Sequence, residues 1–216
     1  MSQALAGAMR TGLLRDAAIG FHGKIPARGD FVQAGLPRTF TDPWDGWMQR
    51  MITASRSLLG EAWLPAWLEA AIWRFALTPG TCGPHAVIGL WMPSVDRIGR
   101  YFPLTLAAVA RDANAFTLMR EGGGFLAAAE NAGRDALEND LAPDELGARL
   151  AAATAAPSGD PGTDLSLYPL KGGSWWTEGA PRVPAEVFSS AALLDEHTFS
   201  AMLNPCLSIS PALCPE

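Results

Sequence analysis

The chain has 216 residues, a formal charge of −6, 49% hydrophobic residues and only 18% charged ones. That balance excludes a disordered chain, which carries fewer apolar residues and more net charge. The acidic character, with a pI near 5.1, argues against a nucleic-acid binder, and no run reaches the ~18 apolar residues of a membrane helix.

A chain of this size buries roughly 70% of its unfolded surface, so one sizeable core is expected. Eight Trp stand against two Tyr, and Lys24 and Lys171 are the only lysines among 16 basic residues. Cys82, Cys206 and Cys214 are an odd number without CxxC spacing, which suits a reducing compartment better than a disulfide scaffold or a zinc site. Residues 1–16 lack an apolar block of signal-peptide length. The expectation is a cytoplasmic protein with a flexible N-terminus over 1–18.

In chain order, Ile19–Ile25 alternates as a short strand, Pro26–Asp30 is a turn, and Phe31–Ala34 returns as its hairpin partner. Asp42 fits a helix N-cap, Pro43 the first helical position and Asp45 the first turn. Trp44, Trp47, Met48, Met51, Ile52, Leu58 and Leu59 follow as one apolar stripe, with Gly60 as the stop. Glu61–Ala70 forms a second helical piece, with Trp63/Trp67 and Leu64/Leu68 at i, i+4. Strands are predicted at Ile72–Leu77, Ala86–Met92 and Tyr101–Val109, close enough in sequence for an antiparallel meander.

Helices are predicted over Phe125–Leu137, after the flexible Gly122-Gly123-Gly124, and over Pro143–Thr154. Pro157–Asp164 reads as a loop. Beyond it, Ser174–Thr177 and Ala185–Phe188 make a hairpin, and Asp195 caps a short helix carrying Phe199, Met202 and Leu203. The fold class is therefore α+β: a mainly antiparallel sheet flanked by helices, in the longin- or SNARE-like order β-β-α-β-β-β-α-α, with an additional C-terminal β-hairpin and short helix. We expect a single domain over 19–204, with loop 157–164 setting off the C-terminal extension, and a loose tail over 205–216.

Catalytic signatures are absent from the sequence: no GxSxG, no Walker A loop, no HExxH. Cys82 and His85 lie three apart but lack a third group to orient the base. His22, His85 and His197 are far apart and form no close ligand pair. No catalytic residue, metal or cofactor is expected.

Two polar clusters stand out instead. Lys24, Arg28 and Asp30 lie in GKIPARGD, and Ser94, Asp96, Arg97 and Arg100 in PSVDRIGR. Arginine suits bidentate pairing with anions, and loops on a rigid scaffold often carry binding residues. An internal Asp–Arg network that locks the loops is the other reading, since buried ion pairs need careful placement. Trp44, Trp47, Trp63, Trp67, Trp73 and Trp91 are assigned to the core. Trp175 and Trp176 are adjacent on a strand and point to opposite faces, so one of them is a candidate exposed anchor for a partner.

The strings GFHGKIPARGDFVQAGLPRTF (20–40), PWDGWMQ (43–49), WRFALTPGTCGP (73–84) and MPSVDRIGRYFPLTLAA (92–108) resemble the TagF family, accessory components of bacterial type VI secretion systems. The SWW element at 174–176 and the short helix near 195–204 extend the likeness, whereas 110–172 adds nothing to it. The resemblance implies a non-catalytic, cytoplasmic, post-translational negative regulator of secretion-system assembly and firing. It implies the FHA-domain scaffold protein of the system as partner; that no nucleic acid is bound and no membrane entered is expected from charge and hydropathy. It also implies a stand-alone form without the fused PPM-type phosphatase found in some members. The rival readings are a structural subunit of the apparatus and a hydrolase using the Asp/Arg loops.

Overall fold

The computed structural model describes residues 14, 16–111, 113–153 and 172–205. The expected N-terminal segment falls mostly outside these, as do loop 157–164, Cys206 and Cys214, and the 205–216 tail beyond Pro205.

Seven strands among the described residues form one sheet in the order β2-β1-β5-β4-β3-β6-β7. They are β1 (Ala18–Gly23), β2 (Val32–Ala34), β3 (Trp73–Leu77), β4 (Ala86–Met92), β5 (Leu104–Ala110), β6 (Gly173–Thr177) and β7 (Glu186–Ser190). Every pairing is antiparallel. The α+β class, the first hairpin and the β3–β4–β5 meander read from the sequence are all present. The C-terminal hairpin is an integral part of the sheet: β6 pairs with β3, placing Trp175 opposite Phe75 and Trp176 opposite Arg74.

Helix α1 (Arg38–Leu59) and the short α2 (Trp63–Leu68) pack on one face, joined there by α6 (Glu196–Leu203). The opposite face carries α3 (Ala115–Glu121), α4 (Gly123–Glu138) and α5 (Pro143–Ala153). The alternation of β-strand side chains sorts the two cores. Trp73, Phe75, Leu77, Trp91 and Trp175 join Trp44, Trp47 and Phe199 on the first face. Ala76, Ile88, Leu90, Leu106 and Trp176 join Phe125, Leu126 and Leu150 on the second. A sheet covered on both faces explains why β3, β4 and β5 are buried at every position.

Three expectations are corrected. The long helix starts at Arg38, with Pro37 in extended backbone as its N-cap, so Pro43 lies inside it rather than at its first position. Pro43 is tolerated near the start, where its missing N–H leaves only one early helical bond unmade. Gly123 and Gly124 are helical, and Gly122 links α3 to α4. A Cβ on Gly122 would lie 2.4 Å from Ile88 Cδ1, so the glycine lets this junction sit directly on the sheet. Finally, Tyr101 precedes β5 and forms an isolated bridge with Val95.

Several core tryptophans are anchored by their indole N–H groups as well as by area, whereas those of Trp91 and Trp176 have no hydrogen-bond partner among the described residues. Trp47 donates to Leu194 O at 2.8 Å, Trp63 to Ser55 Oγ at 3.0 Å and Trp73 to Met202 O at 3.2 Å. Such partners are what a buried Trp usually finds.

Candidate functional site

The two polar loops meet at one end of the sheet. Loop 24–31 joins β1 to β2, and loop 93–103 joins β4 to β5. The antiparallel register puts the end of β1 beside the start of β5, and the end of β4 beside that same start. Gly23 makes the approach possible: its φ is +141°, and a Cβ there would lie 2.0 Å from Pro103 O.

Asp96 organises the junction. Its side chain is fully buried and pairs with Lys24 Nζ, itself buried. Arg100 Nε donates to Asp96 Oδ2 at 2.7 Å, while the backbone N–H groups of Ile98 and Arg100 donate to Oδ1 at 3.0 and 2.9 Å. Burial alone would raise the Asp96 pKa. The hydrogen bonds from Lys24, Arg100 and Ile98 outweigh it and hold the carboxyl well below the usual carboxylate range.

Further bonds lock the loops together. Ser94 Oγ donates to Lys24 O at 2.7 Å, Arg97 N to Arg28 O at 2.9 Å, and Trp67 Nε1 to Ser94 O at 3.3 Å. Arg100 also donates to Gly29 O and stands 3.6 Å from Asp30.

The nine sequence candidates therefore divide. Lys24, Ser94 and Asp96 are buried and form the inner network. Arg28, Asp30, Arg97 and Arg100 are exposed around it. Trp175 and Trp176 do not belong to this site, and neither is exposed: both are 0% accessible. They do point to opposite faces, but α1 and α6 cover one face and α3–α5 the other.

Sequence reasoning missed the apolar part of this end of the molecule. A groove of about 160 Å³ is lined by Pro26, Trp67, Leu68, Val95, Tyr101 and Leu137, together with Pro93 and Ser94. Leu68 is 65% exposed beside it, and Ile98, at the tip of the second loop, is 66% exposed. The available signal was the isoleucine inside the polar string DRIGR, and the offset of Leu64/Leu68 from the buried Trp63/Trp67 stripe.

His22 lies near the same end. Its Nε2 is 3.7 Å from Asp45 Oδ1, and its ring meets Phe31 and Phe102. Burial pushes its pKa below the ordinary value, and the Asp45 and Asp42 carboxylates only partly offset this. Below about pH 6.5 the unfolded chain therefore takes up this proton before the folded one does. Stability is then lost as pH falls from there towards the folded-state pKa. Melting temperatures measured from pH 8 to pH 5 should show a shallower decline for His22→Phe than for the wild type.

The Cys82/His85 alternative has no support in the geometry. Cys82 is buried, its Sγ is 3.8 Å from Phe40 O, and burial pushes its thiol up to about 12, so the nucleophilic thiolate is scarce. With Cys206 and Cys214 replaced by Ser, a thiol reagent should label Cys82 only at the rate of unfolding. Rapid labelling of the native protein at pH 7.5 would contradict this placement. Among the described residues no group of three or more His, Cys, Asp or Glu is placed to hold a metal ion, and no helix is long and apolar enough to cross a membrane.

The fold is similar to that of a known protein, and the sequence matches a known family. The family model for the TagF N-terminal domain, type VI secretion system-associated, matches residues 20–153, so the chain belongs to that family. The crystal structure of PA0076 from Pseudomonas aeruginosa PAO1 is similar at a TM-score of 0.73 and 33% sequence identity, covering 87% of this chain and 94% of that one. No curated protein matches the chain.

Proposed function

We propose that this protein is a non-catalytic, cytoplasmic repressor of a type VI secretion system, acting after translation by binding a component of the system. The FHA-domain scaffold protein is the proposed partner. The observation that carries this reading is how the site uses its charge. Asp96, the only fully buried carboxylate of the two loops, is saturated by Lys24, Arg100 and two backbone N–H groups. A carboxylate so occupied serves as a structural pin and has no free lone pair or proton for catalysis. What reaches solvent is the Asp30 carboxylate and the guanidiniums of Arg28, Arg97 and Arg100 on a hydrogen-bonded backbone, which suits recognition rather than catalysis.

Repression then follows from mass action. Occupying a partner surface lowers the assembly-competent fraction in proportion to the difference in affinity for the two states.

Deleting the gene should release secretion, and overproducing the protein should suppress it. Pull-down from cells with and without the FHA scaffold identifies the direct partner. Unchanged secretion on deletion would overturn the repressor reading, and fixed-stoichiometry co-purification with the assembled apparatus would replace it with a structural subunit.

A further inference from the structure

The groove at the foot of the two loops differs from its surroundings in combining open apolar area with unpaired cations. Its walls come from the two loops, α2 and α4. Pro26 lies two residues before Arg28, and Val95 and Tyr101 bracket the turn that carries Arg97. Its volume of about 160 Å³ is close to the ~150 Å³ apolar cavity that holds one benzene-sized group. Leu68 and Ile98, two of the most exposed large hydrophobic residues of the described chain, stand on α2 and on the second loop.

The cations beside it are of two kinds. Arg100 is committed to Asp96 and Asp30. Arg28 and Arg97 face no carboxylate within ion-pair distance among the described residues. Arg28 only donates to the neighbouring carbonyl of Ala27, at 3.2 Å. Arg97 is fixed through its backbone N–H to Arg28 O, so the two guanidiniums are carried by a shared, hydrogen-bonded backbone. In a chain of net charge −6, two exposed and unneutralised arginines on adjoining loops form a local positive site. Leu137 of α4 also lines the groove, and the next residue, Glu138, is exposed.

We propose that this end of the sheet docks an acidic segment of a protein partner. One apolar side chain enters the groove between Leu68 and Tyr101, and flanking carboxylates meet Arg28 and Arg97. This rests on the proposed role as a binding regulator and specifies its surface. Arginine forks pair with carboxylates bidentately, and an apolar anchor in a pocket supplies the specificity that rim charges do not.

The test uses the full chain, isotopically labelled for NMR. The probe is an acidic heptapeptide of Asp and Glu with a single central leucine. Saturable shifts are expected at the backbone amides of Leu68, Arg97, Ile98 and Tyr101. Affinity should fall at least tenfold when the leucine is replaced by glycine, and at least tenfold when the acids are replaced by lysine. Arg28→Glu/Arg97→Glu and, separately, Leu68→Glu should each lose tenfold or more. All should melt near the wild-type temperature, because none of these side chains is buried or ion-paired. No shifts up to millimolar peptide, shifts confined to the β7 edge, or equal binding of the lysine peptide would each overturn the proposal.

Secretion in cells separates the two readings. If deletion releases secretion but the double Arg variant still represses fully, the docking site is wrong and the repressor stands. If the peptide binds as expected but deletion changes nothing, the repressor reading fails and the site stands.

Discussion

Asp96→Ala is expected to destabilise the protein by about 3–5 kcal/mol, the cost of removing one member of a buried ion pair. The substitution leaves the Lys24 ammonium buried without its carboxylate partner, 4.9 Å from the centroid of the Phe31 ring. It also orphans the backbone N–H groups of Ile98 and Arg100. For a chain of this length each kcal/mol moves Tm by roughly 2–4 °C, so the loss is readable in a thermal melt and in a urea midpoint.

Lys24→Met is expected to cost less. It removes a buried cation that packs a long stem, and Asp96 keeps Arg100 and both backbone donors. If Asp96→Ala shifts stability by less than about half a kcal/mol, which is the range of an ordinary surface substitution, the network is not what holds the loops.

The same residue sets an acid limit. A carboxyl held below its unfolded value contributes stability that is complete above about pH 4 and is lost as pH falls through the folded pKa. The wild type should therefore lose stability on acidification below pH 4 more steeply than Asp96→Asn, which starts lower at pH 7 but has no proton to take up at that position.

How far the sequence reveals this architecture depends on whether a signal is local. The stripe from Trp44 to Leu59 and the alternation in Trp73–Leu77 are properties of short windows, and both elements fall where periodicity puts them. The start of α1 was displaced because two capping patterns compete within six residues. Asp42-Pro43 is the better local cap, but Phe40 and Thr41 are buried and draw the helix back to Arg38.

Helix α3 was invisible for a different reason. Ala115–Glu121 is a single short amphipathic unit next to three glycines, held by the Asn114 N-cap on Thr117 N–H and by its seat on β3 and β4. One Trp of the 175–176 pair was expected to be exposed because adjacent strand residues point to opposite faces; helices cover both faces, so both are buried. At the site, residue type and spacing pointed to the two loops. They left recognition surface and internal lock as alternatives. Both descriptions apply, to different residues: the buried Lys24, Ser94 and Asp96 lock, and the exposed arginines face solvent. The apolar groove was not legible because it joins residues from α2, α4 and both loops that are far apart in sequence.

Trp175→Ala is expected to cost about 3–5 kcal/mol, the usual range for truncating a fully buried Trp. Trp175 is the hinge of the aromatic cluster that ties the C-terminal hairpin to α1. Its ring lies 5.6 Å from Phe75, 5.8 Å from Trp47 and 6.3 Å from Trp44, stacked at 13° on the last. Its indole N–H donates to Ser190 Oγ at 3.1 Å, so the same side chain pins β7 to β6. Truncation opens a cavity between sheet and helix that the neighbouring Gly173, with no side chain, cannot fill.

Trp175→Phe keeps most of the ring area and loses the bond to Ser190, so its cost should fall well below that of alanine. The pair of variants also distinguishes a core residue from a binding anchor. A core Trp lowers the urea midpoint in proportion to lost volume, whereas an exposed anchor leaves the midpoint unchanged and weakens only association. An unchanged midpoint for Trp175→Ala would contradict the burial of β6 between the two helical layers.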